Sequence, residues 1–169
     1  MTKYGIMKAV KNIKNYKTPD LAPAKVEEME VAYFSLGSIL FIEQAFQNDL
    51  ELLHIARKGI TKNAVINISK LLGITLEKMS DLLHTSIRTF QRKSTEEKLD
   101  LPTSEKTIEI AELIKEGVLV FGGYAKFKIW LNTPLMSLNG NIPLDIMDSY
   151  RGIKMLMTEL KRLEQGIYS

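Results

Sequence analysis

Arg88 and Arg92 stand four residues apart, with Thr85, Ser86 and Thr89 beside them and Gln91 and Lys93 on the flanks. Residues four apart share one face of a helix, so both guanidinium groups project together. An arginine fork pairs bidentately with guanine, glutamine does the same with adenine, and hydroxyls or backbone amides hold phosphates. The set has the chemistry of a helix that reads DNA in the major groove. Ile87 and Phe90 point the other way and belong to a core. The bland reading, a surface helix with solvated charges, is the weaker one because of what precedes the segment.

Other chemistries find little support. With zero cysteines, disulfides, thiol catalysis and cysteine-ligated zinc or iron–sulfur sites are excluded. His54 and His84 lie thirty residues apart without acidic clusters nearby, a poor basis for a metalloenzyme or a histidine-driven hydrolase. No nucleophile–base pair or ligand cluster stands out, so the expectation is a non-enzyme with no catalytic residue, metal or cofactor. Gly122-Gly123 is not followed by the Gly-Lys-Ser/Thr of a phosphate loop. His54, between Leu53 and Ile55 on an apolar helix face, reads as a partly buried structural histidine. His84 reads as a turn residue with positive φ, a conformation that histidine tolerates better than most.

The elements that must position Arg88 and Arg92 follow from spacing. Apolar residues recur at three and four, so nearly the whole chain reads as helix, and no strand or internal repeat stands out. Thr18-Pro19-Asp20 and Pro23 break the pattern, leaving residues 1–22 as a flexible basic arm before a first helix from about Ala24. Gly37 and Asn48-Asp49 mark the next boundaries, and Gly59 stops a helix whose Arg57 and Lys58 suit a C-terminus. Ala64, Val65, Ile68, Leu71 and Leu72 form the stripe of a helix ended by Gly73. Thr75 caps a two-turn helix with Leu76, Met79, Leu82 and Leu83 inward, and Ser86 caps a third helix from Ile87 to about Ser94. Short helix, tight turn, short helix is a helix-turn-helix signature.

Pro102 separates this unit from the remainder, where Thr103 or Ser104 can cap a long helix with Ile108, Ala111, Ile114, Val118 and Phe121 on one face. Gly122-Gly123 ends it, and a short helix carries Trp130-Leu131 up to Pro134. Leu138 to Asp145 must turn, with Pro143 at the first position of another helical turn. Ile153, Leu156, Met157, Leu160 and Leu163 form the stripe of a final amphipathic helix ending near Gly166. Tyr150, Arg151, Lys154, Lys161, Arg162 and Gln165 fall largely off that stripe and remain available to a partner. Beyond it, Ile167 and Tyr168 form a short tail able to enter a cleft.

A length of 169 residues with 45% apolar and 25% charged residues suits one domain or two small ones and argues against disorder. The net charge of +3 is unevenly spread: residues 1–17 carry five lysines and no acid, residues 59–102 seven bases against five acids, and residues 103–169 eight of each. The surplus is N-terminal and central, which suits a polyanion. The longest uncharged apolar run, Val31 to Ile42, is twelve residues and reads as core, too short to span a bilayer. No apolar stretch with a cleavage site follows the N-terminus, so a cytoplasmic protein without a membrane partner is expected.

Two strings carry a family resemblance. Leu72-Gly73-Ile74-Thr75 followed by Leu82 through Lys93 resembles the DNA-binding half of the Xre/MbcA/ParS antitoxins. Phe121, Trp130-Leu131, Pro134, the run Leu138-Asn139-Gly140-Asn141-Ile142-Pro143-Leu144-Asp145, Gly152, Leu160 and Gly166 are similar to that family's C-terminal toxin-binding domain. The match runs from about Gly37 to the end. Asn139 stands where the family usually has glycine, His84 replaces the turn glycine, and Phe90 replaces leucine; asparagine tolerates the left-handed backbone nearly as well as glycine.

The resemblance implies an all-α fold, with a helix-turn-helix DNA-binding domain followed by a small helical toxin-binding domain. The expected layout is an arm over 1–22, a helical region with the helix-turn-helix over 23–102, and a toxin-binding domain over 103–169. It further implies a type II antitoxin that dimerises, neutralises a RES-type toxin attacking NAD, and represses its own operon by binding operator DNA; NAD would be the partner's substrate. Tyr150, Arg151, Lys154, Lys161, Arg162, Gln165, Ile167 and Tyr168 are then the toxin-facing candidates. The alternative is a plain helix-turn-helix regulator whose C-terminal domain binds an effector or serves dimerisation.

Overall fold

The computed structural model describes residues 48–166. The expected basic arm, the helices expected between Ala24 and Asn48, and the tail residues Ile167 and Tyr168 lie outside the described residues. Eight α-helices follow in order: α1 Asp49–Lys58, α2 Lys62–Leu72, α3 Leu76–Leu82, α4 Ile87–Arg92, α5 Leu101–Phe121, α6 Tyr124–Leu131, α7 Pro143–Ile146 and α8 Tyr150–Glu164. Among the described residues, extended pairing is confined to two isolated bridges, Thr61 with Lys98 and Leu135 with Asn141. The all-helical expectation holds. These residues fall into two compact units, one of residues 48–112 with Asp148–Tyr150, the other of residues 113–147 with 151–166.

In the first unit the starts and stops are chemical. The Asn48 side chain accepts from the Leu50 amide at the head of α1, Thr61 accepts from Ala64 at α2, and Thr75 accepts from Lys78 at α3, each satisfying an amide that a helix start leaves unpaired. Gly59 closes α1 at φ 84, and an added Cβ would lie 2.7 Å from the Leu99 carbonyl oxygen. Gly73 closes α2 in the left-handed region. Ala64, Val65, Ile68, Leu72, Met79, Leu82 and Phe90 are buried together as the core. His54, by contrast, is exposed; it lies off the buried Leu52–Ala56 edge of α1, so the expected burial is corrected.

The start of α5 also differs from expectation. Asp100 Oδ1 accepts from the Thr103 amide at 3.1 Å, and the Asp100 carbonyl accepts from Ser104 at 2.9 Å, so the helix begins before Thr103. Pro102 lies in the first turn, where a missing N–H costs nothing. Thr103 and Ser104 are buried rather than capping. Ser104 Oγ instead accepts from the Ile60 amide at 3.0 Å and donates to the Leu99 carbonyl at 3.3 Å, tying the α1–α2 junction to the head of α5. Farther along, burial extends beyond the expected stripe to Thr107, Ile110, Leu113 and Val120, as in a helix enclosed on several sides.

In the second unit Gly117 lies against the Phe127 ring, close enough that an added Cβ would sit 2.1 Å from Cε2. The ring packs at 6.3 Å from Phe121 and 5.8 Å from Trp130, and Phe121 lies 5.6 Å from Trp130, between centroids. Gly122, at φ 68, ends α5. The Tyr124 hydroxyl at the head of α6 is buried with no hydrogen-bond partner among the described residues, and burial pushes its pKa up to about 12. After α6, a 3₁₀ turn Met136–Leu138 leads to Asn139 at φ 55 and Gly140 at φ 79. Leu135 donates to the Asn141 carbonyl at 3.1 Å and Gly140 donates to Leu135 at 2.8 Å, which closes the turn. Pro143 opens α7. On α8, Ile153, Leu156 and Leu160 are buried, whereas Met157 and Leu163 are half-buried.

Candidate nucleic-acid and partner-binding surfaces

The helix-turn-helix is built from α3 and α4. Helix α3 ends at Leu82, and His84 then takes φ 52, the left-handed turn position expected for it. The Asp148 carbonyl 2.6 Å from His84 Nε2 can only accept, so Nε2 carries the proton and donates. Besides making the turn, His84 thus holds the segment before α8, a contact that spacing gave no reason to expect. Ser86 has the extended backbone of an N-cap, φ −69 and ψ 129, and its carbonyl accepts from Phe90 at 2.9 Å. Its hydroxyl makes no capping bond, which leaves that hydroxyl exposed and corrects the expected side-chain cap.

Helix α4 is six residues long and ends at Arg92 rather than near Ser94. Phe90 is its anchor, 2% exposed, and Ile87 is half-buried. Ser86, Arg88, Thr89, Gln91 and Arg92 are exposed, and Thr85 and Lys93 half-exposed. All seven candidates thus reach solvent along the turn and α4, with Arg88 and Arg92 one helical turn apart. Neither Arg88 nor Arg92 has an ion-pair partner among the described residues, whereas Lys93 is held by Glu97 at 2.5 Å. The hydrogen bond from Lys93 keeps the exposed Glu97 carboxyl below the usual glutamate range.

Spacing arguments miss Lys62. This first residue of α2 is buried, and its Nζ donates to the Gln91 carbonyl at 3.2 Å and the Lys93 carbonyl at 2.6 Å. It also lies 5.4 Å from the Phe90 ring centroid. Its partners lie 29 and 31 positions away, so no local spacing points to its burial.

Residues 51–112 match the family described as antitoxin Xre-like helix-turn-helix domain, and residues 117–166 match the antitoxin Xre/MbcA/ParS C-terminal toxin-binding domain. The chain belongs to the Xre-type antitoxins. Both families are regulatory domains of toxin–antitoxin systems, one for DNA and one for the toxin. Comparison with individual curated proteins gives no match. Among the described residues of this Xre-type chain, there is no cluster of three or more metal-ligating side chains, and no helix is long and apolar enough to cross a membrane.

The segment matched by the toxin-binding family contains six of the eight toxin-facing candidates, all but Ile167 and Tyr168. Arg151, Lys154, Lys161, Arg162 and Gln165 are exposed, and Tyr150, at the head of the helix, is 67% exposed. Arg162 lies 3.5 Å from Glu159, a carboxylate on the buried side. Met155, which the sequence reading passes over, is also exposed on this helix, giving apolar area among the cations.

Proposed function

We propose that this antitoxin neutralises a RES-type toxin that degrades NAD, and that it represses its own operon by binding operator DNA through α4. The observation that carries the reading is the combination, in one chain, of an exposed arginine surface on an Xre-like helix-turn-helix with a segment of the toxin-binding family. The RES partner follows from the family resemblance. Thr85, Ser86, Arg88, Thr89, Gln91, Arg92 and Lys93 are the proposed DNA-facing residues. Tyr150, Arg151, Lys154, Lys161 and Arg162 on α8, with Gln165 just after it, are the proposed toxin-facing residues. Ile167 and Tyr168 follow them in sequence, and an aromatic residue such as Tyr168 gives large contact area for little lost rotamer freedom.

The test is co-expression with the product of the adjacent gene, followed by co-purification and measurement of cellular NAD and growth. Capture of a RES-domain protein with restored NAD supports the reading; failure of the full-length chain to bind that product sinks it in favour of a plain regulator. A chain lacking residues 165–169 is expected to fold and bind DNA yet rescue NAD poorly, and full rescue would remove the tail from the toxin-binding surface.

A further inference from the structure

A six-residue helix cannot hold itself in water. Its nucleation cost is not repaid within two turns, and its last carbonyls lack intrahelical donors. Helix α4 carries Phe90 as its one fully buried anchor, which fixes one point of the helix and leaves its tilt to other contacts. At the C-terminal end those contacts come from Lys62. Its ammonium donates to the carbonyls of Gln91 and Lys93 and lies over the Phe90 ring. Burying a charge is costly unless it is hydrogen-bonded; here two carbonyls, the negative end of the helix dipole and a π face compensate together.

The ammonium is itself held in place from the main chain. The Lys62 amide donates to the Glu97 carbonyl at 3.0 Å and the Asn63 amide to the Thr95 carbonyl at 2.8 Å. Thr61 caps α2 and also bridges to Lys98. The head of α2 therefore grips the end of α4 and the strand-like return after it at several points. Apart from Lys62, these contacts are made by the backbone.

We propose that Lys62 is a positioning residue for DNA recognition: from outside the recognition helix it fixes the end of α4 and so sets the direction in which Arg88 and Arg92 leave the surface. The proposal rests on the reading of α4 as the DNA-facing helix. Being buried beneath that helix, Lys62 makes no phosphate contact, which separates its role from that of a surface lysine. Loss of the ammonium loosens the presentation of both arginines, lowering affinity for the specific site while leaving general attraction to the duplex intact.

The experiment uses the full chain and the DNA immediately upstream of its own coding sequence, with a scrambled duplex as the non-specific probe. Binding is measured over a salt series for the parent, Lys62→Met, Lys62→Arg, Arg88→Ala and Arg92→Ala, at a temperature where circular dichroism shows each variant folded. Lys62→Met is expected to lose about tenfold in specific affinity, with an unchanged salt slope and unchanged affinity for the scrambled duplex. Lys62→Arg, which still offers donors to two carbonyls, is expected to recover most of the loss. Specific affinity within twofold of the parent for folded Lys62→Met overturns the proposal. So does a salt slope reduced by about one, which would mark a direct phosphate contact, or an equal loss on both duplexes. Should Lys62→Met not fold, Lys62→Leu, which also lacks a donor, is judged by the same criteria, and a folded Lys62→Leu that matches the parent on both duplexes overturns the proposal equally. If Arg88→Ala and Arg92→Ala both bind the upstream DNA like the parent while Lys62→Met does not, the reading of α4 fails, and this proposal with it.

Discussion

At the residue scale, two side chains on α4 should separate base reading from phosphate contact. Arg88 lies nearer the helix N-terminus, the end that approaches base edges in such domains. Arg88→Ala is expected to cost about 1–3 kcal/mol of operator binding and to relax preference at one position. If Arg92 holds a phosphate, Arg92→Ala should weaken all sequences alike and flatten the salt slope by about one. Competition against single-base operator variants measures both effects, and parent-like binding by both alanine variants would refute the assignment. Tyr124 offers a different test. Its buried hydroxyl lacks a partner among the described residues, a condition worth about 1–3 kcal/mol, so Tyr124→Phe should raise the melting temperature. Because burial lifts this phenol from its ordinary value of 10 to about 12, the folded state holds its proton longer than the unfolded state. Stability therefore falls as pH rises from 10 towards 12. Tyr124→Phe should lack that component in denaturant titrations at rising pH; an unchanged alkaline slope would contradict it.

At the scale of elements, the helix ends are local events and the helix contacts are not. Asn48, Thr61 and Thr75 cap their helices through side chains within three residues, so α1 and α3 begin at the boundaries that Asn48 and Thr75 mark in the sequence, and the structure adds the Thr61 cap of α2. The packing of α5 on α6 depends on Gly117 meeting the Phe127 ring. Gly117→Ala should cost about 1–3 kcal/mol through overpacking, despite alanine's better helix propensity. The measurement is chemical denaturation of the single variant beside Gly117→Ala with Phe127→Leu. The smaller side chain is expected to recover part of the loss, and a single variant as stable as the parent would show that the ring moves freely.

At the scale of the whole molecule, a helix-turn-helix antitoxin acting on an operator is expected to do so as a homodimer on an inverted repeat. Two recognition helices then meet successive major grooves about 34 Å apart, so half-sites should centre about 10 bp apart or at a multiple of that. Footprinting of the upstream DNA and light scattering with and without it check the spacing and the stoichiometry. A monomer in both conditions, or protection without dyad symmetry, would count against this arrangement.

Much of this chain was legible from residue types alone. Helix periodicity, threonine caps and glycine stops are decided within four residues. Positive φ at His84 follows from its place in the tight turn, and at Asn139 from the family resemblance, which has glycine there. The clustering of Arg88 and Arg92 at one surface likewise needs nothing but the helical repeat. What tertiary structure alone decided was which polar groups are buried. Ser104 looked like a cap but bonds to Ile60, 44 positions away. Lys62, which the sequence did not single out, donates to a carbonyl at a helix end 31 positions on, and His84 donates to a carbonyl 64 positions away. A buried polar group must find a partner wherever the fold brings one, and sequence spacing carries no information about a contact made across such distances.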